Sequence, residues 1–211
     1  MKTVTALFGA LFLSGCSLIG VRSDTEHAPY AVVAEISDTI EVRRYPNLLV
    51  AEATAEADDE VSGRNAAFRL LFDYISGANR SKEAVAMTVP VETDSSSSQI
   101  SMTVPVETAV DDVGTYSMRF YFPSGYDMEN APEPTNANVI VNEVPERTVA
   151  VLRFSGSTGT DNVARHTESL MRTLEENGLQ ITGDPTYMFY DPPWTLWFLR
   201  RNEVVVPVIA D

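Results

Sequence analysis

One pattern occurs twice in this chain, about 100 residues apart, and it limits the folds available. Pro46 stands four residues before Val50-Ala51, and Pro145 stands four before Val149-Ala150. After each comes a segment with helical spacing. In residues 62–76 the apolar positions are Ala66, Ala67, Leu70, Leu71, Tyr74 and Ile75, with Phe68 and Phe72 on an adjoining flank. In residues 160–177 they are Val163, Leu170, Met171 and Leu174. Gly77 and Gly178 stop the two helices. Val104-Pro105-Val106 then matches Val206-Pro207-Val208 at nearly the same offset. The pattern predicts a duplicated strand–helix–strand–strand unit. One unit alone leaves an apolar sheet face bare. Two together form an α+β domain with pseudo-twofold symmetry, a curved antiparallel sheet or barrel flanked by two helices.

β-prone runs fill in the remainder. Residues 30–36 and 40–45 flank a tight turn at Asp38 and Thr39, and 48–57 reads as a third strand. Further strands are expected over 116–122, 139–144, 148–154, 186–190 and 204–208, with a polar loop over 123–138. A shorter repeat, Met87-Thr-Val-Pro-Val-Glu-Thr93 and Met102-Thr-Val-Pro-Val-Glu-Thr108, reads as two strands, 85–91 and 100–106, of one hairpin tipped by serines. Pro90 and Pro105 lack an N–H and belong at edges or bulges.

The first residues are of another kind. Lys2, an apolar run from Val4 to Leu13, and Leu13-Ser14-Gly15-Cys16 have the order of a secretory signal, and the run is too short to span a bilayer. The last four residues resemble the bacterial lipobox. That resemblance implies cleavage before Cys16 and acylation of its thiol and new amino group. Cys16 is the one cysteine of 211 residues, so no internal disulfide competes for it. Residues 1–15 are thus read as signal peptide, 16–29 as a lipidated tether and 30–211 as the folded domain. Ser17 in place of aspartate resembles the pattern for sorting to the outer membrane, facing the periplasm. The net charge is −15, and beyond Lys2 only Lys82 is a lysine. Such a surface repels nucleic acid and anionic lipid. It suits either a saline habitat or plain solubility.

Motifs for catalysis are missing. His27 and His166 are the only histidines, and HExxH, CxxC, GxSxG and P-loop patterns are all absent. No spacing favours a carboxylate-only enzyme. His166 falls on or beside the buried stripe of the second helix. A structural role is the expectation there, with an iron ligand as the alternative. The unusual segment is Tyr190-Asp-Pro-Pro-Trp-Thr-Leu-Trp-Phe-Leu-Arg-Arg-Asn-Glu203, which holds both tryptophans. It reads equally as wall and anion contact for a planar apolar ligand with carboxylates, or as an aromatic barrel plug whose arginines pair with local acids.

Ile40-Glu-Val-Arg-Arg-Tyr-Pro46, Tyr74-Ile-Ser-Gly-Ala-Asn79, the two Met-Thr-Val-Pro-Val segments and Tyr190-Asp-Pro-Pro-Trp…Arg200-Arg-Asn-Glu-Val204 together resemble the SOUL haem-binding family. The resemblance runs from about Tyr30 to Val208. It implies a duplicated barrel like the effector-binding domains of bacterial regulators. It also implies non-covalent (b-type) binding of haem or a related tetrapyrrole beside the first helix. Carried over, the pocket residues are Asn65, Phe68 and Phe72 on the helix, and Trp194 and Thr195 on the facing loop. Where family members often place flexible apolar residues and cations, this helix has aromatics, with Arg64 and Arg69 the nearest cations and Asp73 near its end. The resemblance assigns no axial ligand. The implied function is a non-catalytic envelope binding protein for carriage, buffering or sensing. The alternatives are an enzyme that removes the metal or opens the ring, and a module for another amphipathic ligand.

Overall fold

A computed structural model describes residues 27–80, 103–110, 114–191 and 195–210. Strands β1 (Ala31–Ser37) and β2 (Ile40–Tyr45) form a hairpin about Asp38 and Thr39. Strand β3 (Leu48–Glu56) leads into helix α1 (Glu60–Ile75). After the two-residue β4 (Asn79–Arg80) come β5 (Thr103–Val110) and β6 (Thr115–Tyr121). The second half follows the two-residue β7 (Glu133–Pro134). It comprises β8 (Val139–Val144), β9 (Arg147–Phe154), α2 (Thr160–Glu176), the short β10 (Gln180–Ile181), β11 (Thr186–Phe189) and β12 (Asn202–Ile209). Each expected element that lies among the described residues is present. Residues 85–91 lie outside them. The second copy of the short repeat pairs with β6 and β11, and Pro105 falls where the β5–β6 register breaks.

One curled antiparallel sheet runs β1-β2-β9-β12-β11-β5-β6-β3-β8. Its pseudo-twofold lies between β11 and β5, so β3, β6 and β5 mirror β9, β12 and β11. The halves exchange their leading strands. β2 leaves β3 and pairs with β9, Val42 opposite Ala150, while β8 leaves β9 and pairs with β3, Val141 opposite Ala51. One detail of the repeat is corrected here. Ala51 faces Phe120 on β6 and Ala150 faces Val206 on β12, so β12 is the counterpart of β6. Val104-Pro105-Val106 on β5 and Val206-Pro207-Val208 on β12 are therefore not equivalent positions, and their likeness is a coincidence of a valine-rich chain.

Each helix covers its own half. Asp59 caps α1, accepting from the Ser62 backbone N–H at 3.0 Å, and Gly77 ends it at φ 118°. Gly63, Ala67, Leu71, Tyr74 and Ile75 form its buried stripe. Ala67, Leu71 and Tyr74 pack with Ala51, Ala53, Met118 and Phe120 of β3 and β6. Val163, Leu170 and Leu174 of α2 pack on Val42, Ala150, Leu152, Val204 and Val206. Burying a side chain of this size stabilises by roughly 1.5–3 kcal/mol.

The sheet's other face closes on itself around Tyr45, Val50, Tyr121, Val149, Val151, Met188, Tyr190 and Val205. Two carboxylates, one from each half, are buried on this face of the sheet. Glu203 accepts both arms of the Arg43 guanidinium at 2.7 and 3.0 Å, Arg201 at 2.6 Å and the Tyr190 hydroxyl at 2.6 Å. Glu107 accepts both arms of Arg147 at 3.0 and 2.8 Å, the Thr186 hydroxyl at 3.0 Å and the Tyr121 hydroxyl. Burial pushes both carboxyls up, but the Arg43 fork on Glu203 and the Arg147 fork on Glu107 win. Both are held below the ordinary 4.5. Their contribution to stability is therefore complete above that value and is lost as pH falls through the folded-state values. The unfolding free energy from urea titration should hold from neutrality to about pH 5, then fall with a slope of up to about 1.4 kcal/mol per pH unit per group, and the midpoint should fall with it. A midpoint unchanged down to about pH 3 would contradict the assigned pairing.

Candidate functional site

The site begins with three residues on one rung of the sheet. Val106 on β5 lies opposite Phe189 on β11 and opposite Phe120 on β6. Directly paired residues of antiparallel strands share a face, so the three form an apolar floor across the seam between the halves. Above it runs a row of α1 side chains at helical spacing, Arg64, Phe68 and Phe72. The Phe68 and Phe72 rings stack 5.9 Å apart at 18°, and Phe68 meets Phe120 edge-on at 5.7 Å. At the other end, the Arg64 guanidinium lies 5.7 Å above the Phe189 ring and donates to the Thr158 carbonyl at 3.3 Å. Despite these contacts Phe68 stays 37% and Phe72 47% exposed. Two stacked aromatics left in water above an apolar floor, with a cation at one end, suit a flat apolar ligand that carries acid groups.

Of the residues expected at the site, Phe68 and Phe72 come together on this trough. Asn65 is exposed on the outer rim of the same row. Thr195 sits in the β11–β12 connection and is 3% exposed. Its carbonyl accepts Arg200 Nε at 2.9 Å, whereas its buried Oγ1 has no hydrogen-bond partner among the described residues. An unmet buried hydroxyl costs about 1–3 kcal/mol, which a bound polar group would recover. Trp194 and Cys16 lie outside the described residues. His166 is elsewhere. Its ring stacks on Phe154 at 4.1 Å and 14°, and its Nδ1 lies 2.7 Å from the Asn162 carbonyl, an acceptor, so Nδ1 carries the proton. Trp197 is 63% exposed, so it does not plug the barrel. Arg201 does pair with a local acid, Glu203. Sequence reasoning named Arg64 as a nearby cation but missed Phe120, Val106 and Phe189. Arg64 was visible as the residue one turn before Phe68; the floor exists only through cross-strand register.

A separate recess of about 430 Å³ lies on the opposite flank of α1, lined by Leu70, Asp73, Tyr74, Ala78, Pro134 and Val139. Its charged group is a carboxylate, which repels an acidic ligand. The trough has the guanidinium and is the better match. The other face of the sheet holds the two carboxylate networks.

A duplicated, curled antiparallel sheet with one helix per half is the architecture of effector-binding-type domains. The fold of the C-terminal domain of EcmrR agrees, with a TM-score of 0.58 at 14% identity, covering 86% of this chain and 99% of that one. A hydrolase from Listeria innocua is also similar, with a TM-score of 0.53 at 13% identity over 81% of this chain and 92% of that one. No curated protein sequence matches. The family described as SOUL heme-binding protein matches residues 25–207, and the chain belongs to that family. Membership supports binding of haem or another tetrapyrrole.

Proposed function

We propose that this protein holds haem, non-covalently, in the seam trough beside α1, as an envelope lipoprotein anchored through Cys16 that carries, buffers or senses the ligand. The observation that carries the reading is the exposed Phe68–Phe72 stack above the Phe120–Val106–Phe189 rung. In this placement the phenylalanines would cover one face of the macrocycle and Arg64 would pair with a propionate, while Trp194 and Thr195 are the contacts that the family resemblance implies. Haem supplies the iron and its spectrum; the chain supplies an apolar slot, a cation and a buried hydroxyl.

Haem titration of the unacylated protein should saturate at one site in the micromolar range or tighter, about −8 kcal/mol. Phe72→Ala should weaken it about tenfold, because it removes half of the shelf. His166→Ala should leave affinity within about threefold and the Soret band in place, since its ring packs on Phe154 and its Nδ1–H is already committed. No saturable binding would refute the ligand class. Equal affinity in Phe72→Ala would refute the location, and a collapsed Soret band in folded His166→Ala would make that histidine the iron ligand. Progressive loss of the bound spectrum under reductant would show an enzyme of tetrapyrrole breakdown instead.

A further inference from the structure

The β11–β12 connection carries an oddity that ligand binding does not use. Leu196, Trp197, Phe198 and Leu199 are four successive large apolar residues, 50%, 63%, 53% and 42% exposed. They are not on a loose strand. Residues Trp197–Leu199 form a 3₁₀ turn closed by the Leu199 N–H donating to the Leu196 carbonyl at 2.9 Å. Gly156 N–H holds the Trp197 carbonyl at 3.0 Å, and the Arg201 N–H is tied to Asp191 at 2.6 Å. The two aromatic rings meet at 86° and 5.6 Å, yet both remain in water. A turn this well braced, displaying only apolar side chains, is organised to meet another apolar phase.

The point where the N-terminal segment joins the domain indicates which phase. The His27 ring lies 6.4 Å from that of Tyr190, the residue from which this same connection departs. Ala28 is buried in the cluster containing Tyr190. The preceding chain therefore reaches the domain at the end of the sheet that bears the turn. From Cys16 to His27 the chain spans 11 residues, which reach about 40 Å at most. A lipid on Cys16 thus keeps this end of the domain close to a bilayer. Trp and Phe with an adjacent Arg200 are the side chains that settle at headgroup depth. With a net charge of −15 the domain is repelled by an anionic surface, so the matching surface is zwitterionic.

We propose that the turn at residues 196–199 inserts into the headgroup region of a zwitterionic bilayer, a second contact that fixes the domain's orientation on the membrane. The inference rests on the lipid-anchor reading, and the test separates the two. Full mature protein, acylated and reconstituted in phosphatidylcholine vesicles with a shallow doxyl-lipid quencher, should lose Trp fluorescence. Trp197→Phe, which retains Trp194, should lose most of that quenching. Independently, Cys16→Ser protein should partition weakly onto the same vesicles, and Trp197→Ser with Phe198→Ser should weaken partitioning about tenfold. Failure of acylation alone leaves this second arm intact and counts only against the anchor. Equal quenching in wild type and Trp197→Phe, with no effect of the paired serines on partitioning, would overturn the proposal. So would haem affinity or dimerisation, rather than vesicle binding, responding to those serines, which would assign the turn to the ligand or to a protein interface.

Discussion

Glu203→Ala should destabilise the domain by about 3–5 kcal/mol, the cost of removing the buried counter-ion of Arg43, which keeps only the more exposed Glu41 at 2.5 Å. Arg43 is 1% and Glu203 0% exposed, and the bidentate pair joins β2 to β12 across the exchanged strands. Removing the carboxylate deprives Arg43 of its bidentate partner and frees the Tyr190 hydroxyl and the Arg201 head as well. With roughly 2–4 °C per kcal/mol in a domain this size, the melting temperature should drop by about 6–20 °C. Replacing the pair together, Arg43→Met with Glu203→Leu, should cost much less than the two single losses added, because the charges left over, Arg201 and Glu41, are part-exposed rather than fully buried. Equal, additive losses would show that the pair is held by packing alone.

Gly63→Ala should cost about 3 kcal/mol, although alanine is ordinarily the better helix former by about 1 kcal/mol. A Cβ at Gly63 would lie 2.1 Å from Cδ2 and 2.2 Å from Cγ of the Tyr116 ring on β6. Those are inner ring atoms of a residue 8% exposed, so either the ring leaves its site or α1 lifts from the sheet. A lifted helix carries Phe68 and Phe72 away from the Phe120–Val106–Phe189 floor, so haem affinity should fall along with stability. Tyr116→Ala added to Gly63→Ala should give a double variant more stable than the sum of the single losses. Strict additivity, read from urea midpoints, would mean that helix and ring do not meet as described.

The parts visible in the sequence were those governed by local period. Ala67, Leu71 and Tyr74 recur at helical spacing and do face the sheet, and the paired Val-Ala steps at 50 and 149 do occupy matching strands. Phe68 and Phe72 came from family resemblance, and the structure places them on an exposed shelf. What stayed hidden depends on partners distant in the chain. Arg43 and Glu203 look like surface charges until β2, β9 and β12 are aligned, 160 residues apart in sequence. Phe189 becomes part of a floor only through its register with Val106. The second Val-Pro-Val match misled because composition alone can repeat a tripeptide, whereas topology ties β5 to β11.

The exchanged strands also set an order of events during synthesis. Val42 has to wait for Ala150, more than a hundred residues later, before β2 can gain its inner neighbour. At about 5–20 residues per second, the ribosome takes on the order of 5–20 s to supply it. Until then β2 has no inner neighbour, although β3, β6 and β5 of the first half can already pair with one another, and closing so long a loop slows folding further. The sheet of a nascent chain with this topology is therefore completed only after its second half has been made.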